Sequence, residues 1–455
     1  MDIRGQSIVV LGAGLTGSLL AVMLAQRGAR VTVLERAEDP RGQSASAGRS
    51  INLAMAARGM RGLRAVGLAD QIQPLLCPMP GRILHRIDRT LQFQPYGTRE
   101  TDINYSVNRA GLNHMLLDAA ERAGAEIRFS QRCLDYDADT HELLIENHRG
   151  DPQTYRLAVE RFISADGAGS PVRRSLQRQG LIDAEESLLE HRYQEIAIPA
   201  TADGEYAMDP EGLHVWPRGS HMLIALPNPG GDFTATLFMP NKAPESEPSF
   251  AWWQDTSRAR AFFDDAFGDV PALVDDLDRQ LAEHPLGVMG TIHCSPWHVG
   301  DRCLLIGDAA HAIVPFHGQG MNAAFEDCVV LSNLIDESDS WQTAFADFSN
   351  ARIPNARAIA QMALENYIEM RDSVRRQDFH LKKALALHLE TVCPDVFVSR
   401  YSMVMFHADI EYAEALQRGK TQSDWLDTQI SGKQSLDDID LNACEHAARA
   451  FFQPL

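Results

Sequence analysis

Gly12, Gly14 and Gly17 constrain this chain most, because they fall between an apolar strand and the start of a helix. Residues 7–11 are an apolar, β-branched-rich run, 18–26 read as a buried helix, and 30–34 return as a second apolar strand. Strand, tight turn, helix and strand within about 30 residues open a parallel nucleotide-binding sheet. In such a unit the first two glycines let the backbone turn and approach a pyrophosphate, and the third lets helix and strand pack closely. The amides of Leu15 and Thr16 then lie at the positive end of the helix, where an anion is stabilised. The second strand ends in Leu34-Glu35-Arg36, which places a carboxylate for a ribose diol and a cation near the adenosine. The motif specifies a dinucleotide without separating NAD from FAD.

A chain of 455 residues has room for two or three domains. Its 62 acidic against 42 basic side chains give a formal charge of −20, which opposes nonspecific binding to nucleic acid or anionic lipid. The seven cysteines (Cys77, Cys133, Cys294, Cys303, Cys328, Cys393, Cys444) include no C-x-x-C pair and read as reduced thiols of a cytoplasmic protein. The apolar stretch 8–24 is interrupted by Gly12, Gly14, Thr16, Gly17 and Ser18, so it does not read as a membrane span of about 20 apolar residues. Residues 429–455 are mostly polar, and no membrane anchor is expected there. His311 and His317 lack metal-ligand spacing with carboxylates, so no metal is expected. His311 reads better as a structural hydrogen-bonder.

Helical patterns follow at 58–66 and 113–123, with a strand at 126–129. Residues 82–88 and 91–94 suggest a hairpin turning through Arg89 and Thr90. Residues 213–217, 222–227 and 233–239 suggest an antiparallel meander with turns at 218–220 and 229–231. From Trp341 onward the pattern is nearly all helical. The expectation is an α/β fold. A Rossmann-like domain (1–75, 100–180 and 295–335) is interrupted by a mixed or antiparallel β substrate domain (76–99 and 181–294). A C-terminal helical region (336–455) follows.

Two further motifs repeat one theme. Phe162 and Ile163 run into Ser164-Ala165-Asp166-Gly167, and Leu304 to Ile306 run into Gly307-Asp308. Each is an apolar strand ending in a small residue and an aspartate. One such pair alone reads more readily as a simple turn. With the glycine unit before them, their order resembles the single-component aromatic flavoprotein hydroxylases over about residues 5–410. That resemblance implies tightly but non-covalently bound FAD, a hydride from NADPH without a separate nicotinamide domain, and reaction with O2 through a flavin C4a-hydroperoxide. It also implies flavin contacts at Thr16, Glu35, Arg36, Ala54, Arg109, Asp166, Asp308, Met321 and Asn322, with a backbone contact at Cys133. An arginine suits the pyrophosphate, and Met321 and Asn322 lie where helix amides would face the flavin. That helix is expected to begin near Ala323.

Longer stretches narrow the resemblance to the kynurenine-hydroxylating branch of that family. They are 48–54, 94–97, 307–328, 365–371 and 401–404. The branch implies that Arg82, Tyr96, Asn366 and Tyr401 bind L-kynurenine, whose carboxylate needs a cation and neutral donors. Each has a plainer reading. Arg82 alternates with Leu84 and Arg86 as a solvated strand face would, and Tyr96 before Gly97 closes a hairpin. Asn366 shares a helical stripe with Ile359, Met362 and Met370 and needs a partner there. Tyr401 reads as a half-buried phenol. Ile224, Leu226, Phe238, Pro315, Phe316 and His317 are candidate walls of the ring pocket, or plain core. The expected activity is 3-hydroxylation of L-kynurenine. The alternatives are hydroxylation of another amino-aromatic acid, or a non-catalytic FAD-binding redox sensor. The last 40 or so residues lie beyond the stretch that the resemblance interprets.

Overall fold

The computed structural model describes residues 1–42, 52–372 and 377–454, the side chains at 254, 370–372 and 377 excepted. Gly48 to Ile51 of the 48–54 motif therefore lie outside the described residues, as do the side chains of Met370 and Arg371. The chain divides into two compact units. The first is Met1–Leu76, Val107–Leu189 and Met289–Ala360, and the second is Cys77–Ser106, Glu190–Val288 and Gln361–Leu455.

The first unit is built on a sheet in the order His298–Val299, Cys303–Leu305, Phe162–Ser164, Ser7–Leu11, Arg30–Leu34 and Glu126–Arg128. All neighbours are parallel except the first pair. Strands covered on both faces must be apolar throughout, which is why Phe162, Ile163, Leu304 and Leu305 carry no alternation. Helix Leu15–Gln26 is buried along most of its length. It starts three residues before the apolar pattern suggests, because Thr16 and Gly17 interrupt that pattern in the first turn. Helix Arg109–Arg122 likewise starts early, where the Asn108 side chain accepts the Gly111 amide at 3.0 Å and caps it. Helix Gly320–Glu337 packs against Leu15–Gln26 and Ala57–Ala65. A three-stranded antiparallel sheet, Gln131–Asp137, Glu142–Asn147 and Gln153–Ala158, also belongs to this unit.

The second unit carries the antiparallel texture. Its sheet runs from the C-terminal half of Asp183–Ile198 through Phe233–Pro240, Met222–Pro227, Leu213–Pro217 and Gly81–His85 to the edge strand Leu91–Pro95. The three meander strands match the expected bounds to within one residue. Arg89 takes φ +66° in the hairpin turn, where Asp88 accepts the Thr90 amide at 3.0 Å. One face of the sheet packs Leu223, Ala225, Ala235, Leu237 and Trp216 against Phe262, Phe263 and Phe267. Strand period puts Ile224 and Leu226 on the opposite face. The helices Gln377–Val392, Tyr412–Ile430 and Leu441–Phe451 share a core of Leu385, Leu389, Phe397 and Trp425. Among the described residues no helix is long and apolar enough to cross a membrane. The structure has the α/β class and the C-terminal helices expected from the sequence.

Candidate functional site

In the first unit the three motifs meet. Gly12 adopts φ +92°, and a Cβ there would lie 2.6 Å from the Ala165 carbonyl oxygen and 3.0 Å from the Asp166 Cα. A Cβ on Gly17 would overlap the Gly12 carbonyl. A Cβ on Gly307, at φ +60°, would touch Thr16 at 3.0 Å. These glycines bring the ends of three strands together at the start of Leu15–Gln26. Gly14 differs, because a Cβ there would meet nothing within 4 Å. Its backbone borders open space beside the amides of Leu15 and Thr16, which is the room a pyrophosphate needs.

Glu35 stands at its strand end but is already engaged: it accepts the Ala13 amide at 2.7 Å and the Ala37 amide at 2.8 Å. It therefore braces the glycine turn, with lone pairs left for a diol. Leu34 is buried beneath it, and its carbonyl holds the Gly12 amide at 2.8 Å. Asp166 accepts Ser164 Oγ at 2.8 Å, while its second oxygen is buried with no hydrogen-bond partner. Burial pushes this carboxyl above the usual range, against the opposing pull of Ser170 and Ser164. Asp308 opens the short helix Asp308–His311 and is exposed. Arg36 and Arg109 are exposed cations with no ion pair among the described residues. Cys133 is buried within the paired strand Gln131–Asp137, and burial raises its thiol to about 12.

Asn322 is fully spent. Its Nδ2 donates to the Ala54 and Gly318 carbonyls at 2.8 and 2.9 Å, and its Oδ1 accepts the Ala56 and Gly59 amides at 2.9 and 3.1 Å. The side chain staples two loops, which leaves the main chain of Met321 and Asn322 for a cofactor. Their helix begins at Gly320, earlier than the apolar pattern suggests, and has no side-chain cap. An orphaned carboxylate oxygen, uncapped helix amides, unpaired arginines and a glycine facing open space fit FAD.

Behind these strand ends lies a buried network that sequence reasoning missed. His311 Nε2 is 2.5 Å from Asp327 Oδ2, and its ring stacks on Trp297. Asp327 also accepts the Gly307 amide at 3.2 Å and Arg352 Nε at 2.7 Å. Burial would raise its carboxyl, but His311 and Arg352 hold it below the usual range. The available signal was charge inside the apolar run Phe325-Glu326-Asp327-Cys328. Pro315, Phe316 and His317 form a 3-10 turn of this unit, the last two buried.

The second unit brings together three of the four candidate amino-acid-binding residues. The Tyr96 and Tyr401 rings stack at 5.5 Å, and the Arg82 guanidinium carbon lies 5.6 and 5.2 Å from their centroids. Arg82 Nε is buried without a hydrogen-bond partner. Burial pushes both phenols up, so they are neutral hydroxyls. Met79, Leu226, Leu213, Ile224 and Phe406 wall this group. Phe238 is buried beside Tyr193 at 6.2 Å between ring centroids. A cleft lined by Leu84, Gln94, Glu369 and Lys383 opens at Arg82. Asn366 is buried on the helix Trp341–Asp372.

Three supports of this group were not read from the sequence. Asn104 donates from Nδ2 to the Tyr401 hydroxyl at 3.2 Å. Arg400 pairs with Glu365 at 2.5 Å, tying the neighbour of Tyr401 to the neighbour of Asn366. Asp102 accepts the Thr98 and Arg99 amides at 3.1 and 3.0 Å and fills the space where a Cβ on Gly97 would sit.

Residues 6–338 match the family model of an FAD binding domain. The kynurenine 3-monooxygenase of Stenotrophomonas maltophilia (strain K279a) is 44% identical over 97% of this chain and 96% of its own length. That of Xanthomonas axonopodis pv. citri (strain 306) is 43% identical over 99% and 98%. Both alignments reach beyond the stretch from which the resemblance was read. The tetrameric form of 2-methyl-3-hydroxypyridine-5-carboxylic acid oxygenase superposes with a TM-score of 0.64 at 18% identity, covering 84% of this chain and 96% of that one. The chain belongs to the kynurenine 3-monooxygenase family and is an FAD-dependent aromatic hydroxylase.

Proposed function

We propose that the chain hydroxylates L-kynurenine at the carbon beside its aniline nitrogen. L-Kynurenine, NADPH, a proton and O2 give 3-hydroxykynurenine, NADP+ and water. The observation that carries this reading is the Arg82 guanidinium, which lies beside the stacked Tyr96 and Tyr401 rings with its Nε buried and without a hydrogen-bond partner. Holding a cation out of water is costly, and beyond the field of Glu369 in the same cleft a substrate carboxylate offsets that cost with a charge-assisted pair. The neutral phenols add donors and the apolar wall takes the aromatic ring.

FAD, when bound, supplies the electron transfer and the activation of oxygen. Gly14, the amides of Leu15 and Thr16, Arg109 and Asp166 would hold its pyrophosphate and ribityl chain, with Glu35 and Arg36 toward the adenosine. The amides at Met321 and Asn322 would stabilise negative charge on the reduced ring. The aniline nitrogen already enriches the ring carbon ortho to it, so no strong protein base is required. What the residues contribute is position and exclusion of water.

The test uses the FAD-loaded protein with NADPH, O2 and L-kynurenine. Kynurenine should accelerate NADPH oxidation and yield 3-hydroxykynurenine. Flavin-bearing protein that does neither would refute the substrate assignment.

A further inference from the structure

We propose that Asn104 determines specificity for an α-amino acid, its side-chain carbonyl accepting the substrate ammonium. This rests on the reading of the Arg82 pocket as a kynurenine site. Asn104 is 1% exposed, and its Oδ1 is buried with no hydrogen-bond partner. Its Nδ2 is occupied by the Tyr401 hydroxyl at 3.2 Å, and the Arg82 guanidinium carbon lies 5.2 Å from the ring of that same tyrosine. Two residues that meet at Tyr401 thus each carry a buried unsatisfied atom: Arg82 its Nε, which can only donate, and Asn104 its Oδ1, which can only accept.

Their chemistry is complementary to one kind of ligand. An α-amino acid presents an acceptor-only carboxylate and a donor-only ammonium on the same carbon. Such a group pairs with Arg82 through the first and with Asn104 through the second. A carboxylic acid lacking the amine satisfies Arg82 and leaves the Asn104 carbonyl stranded, which a buried polar group resists. A neutral amide also suits the task better than a carboxylate, which would repel the substrate's own carboxylate beside Arg82. With the amide reversed, Tyr401 would donate to Oδ1 and the NH2 would face the pocket as a second carboxylate donor. The two orientations predict different ligand dependence.

The experiment compares L-kynurenine with its deamino analogue, 4-(2-aminophenyl)-4-oxobutanoate, binding to FAD-loaded protein through the flavin absorbance change. Asn104→Leu should weaken kynurenine by about 10- to 100-fold, the value of a hydrogen bond to a charged group, and the analogue by less than about threefold. Asn104→Asp should reverse the order, the analogue losing more because it has no ammonium to offset carboxylate repulsion. This second variant retains a polar side chain of the same size if the leucine variant fails to fold. Equal weakening of both ligands, or of neither, overturns the assignment while wild-type kynurenine binding leaves the substrate reading intact. Wild-type protein that binds flavin and ignores kynurenine removes the substrate reading and this inference with it.

Discussion

The candidate cofactor region of the first unit and the candidate amino-acid pocket of the second are made from different materials. The first is made of backbone: the Gly12 to Gly17 turn, the strand ends at Asp166 and Gly307, and the amides that open helix Gly320–Glu337. Its side chains brace the main chain, as Asn322 and Glu35 do. The second is made of side chains from separate segments, Arg82, Tyr96, Asn104 and Tyr401, converging over a strand face. A backbone site tolerates few residue types at its close approaches but needs no particular side chain. A convergent side-chain site behaves in the opposite way.

Gly14→Val tests this distinction with the largest expected effect. A Cβ there meets no protein atom within 4 Å, so the apo protein should fold with a melting temperature within a few degrees of wild type. The same side chain fills the space proposed for the pyrophosphate, so purified protein should be colourless. Gly17→Ala should do the reverse and damage the fold itself, because its Cβ overlaps the Gly12 carbonyl. A yellow Gly14→Val protein would remove the pyrophosphate from this turn.

Arg82→Met is the matching perturbation in the second unit. It should weaken L-kynurenine by about 2–5 kcal/mol, on the order of 30- to several-thousand-fold, while flavin content stays at the wild-type level. Titration of the flavin absorbance with kynurenine measures the first, and the protein-to-flavin absorbance ratio the second. Loss of both together would mean that Arg82 supports the fold rather than the ligand.

The same contrast explains what could be read from the sequence. Gly12-x-Gly14-x-x-Gly17, Asp166-Gly167 and Gly307-Asp308 are short contiguous strings whose spacing is dictated by a turn, so they were legible at once. The meander strands were equally plain, since alternation and turn glycines marked both ends. Helix starts were less legible at Leu15, Arg109 and Gly320, where first turns carry glycine or a cap instead of an apolar stripe. Arg82, Tyr96 and Tyr401 are separated by up to hundreds of residues, and only resemblance grouped them. Asn104 lies between Ile103 and Tyr105 in a strand, where nothing local distinguishes an amide that meets a distant phenol. Nor did spacing suggest the Asp327 network, whose partners come from several elements.

On the strand next to the one that carries Arg82, a third perturbation separates the stability of the second unit from its ligand chemistry. His214 is buried, donates from Nε2 toward the Asp209 carbonyl at 2.7 Å, and faces His85, which in turn meets Asp269 at 2.7 Å. Burial lowers His214 to about 4, with the Asp209 carbonyl opposing and His85 reinforcing the shift. The folded form therefore resists a proton that the unfolded chain accepts near pH 6.5. The contribution is complete above that pH and is lost as pH falls from about 6.5 toward 4, with a total of about 3 kcal/mol. His214→Gln should flatten this limb of the stability curve, measured by denaturant unfolding across that window, and leave flavin content unchanged. An unchanged slope would mean that His214 accepts a proton in the folded state.

The smallest expected effect concerns how the side-chain pocket is held. Arg400 and Glu365 pair at 2.5 Å with side chains 28% and 34% exposed, and each precedes a candidate ligand residue, Tyr401 and Asn366. Glu365 also accepts Gln361 Nε2 at 2.8 Å, so its carboxylate is fixed within its own helix. Partial exposure limits such a pair to about 0.2–1 kcal/mol after screening. Glu365→Gln should therefore raise the KM for kynurenine by at most about fivefold, with kcat nearly constant. The difference between variant and wild type should shrink in high salt, because screening already weakens the intact pair. A salt-independent loss of the same size would point to packing of the two helices instead. Flavin retention should not respond at all, since no part of the first unit's turn depends on this pair. A drop in flavin content in Glu365→Gln would break the separation between a backbone-built cofactor region and a side-chain-built pocket.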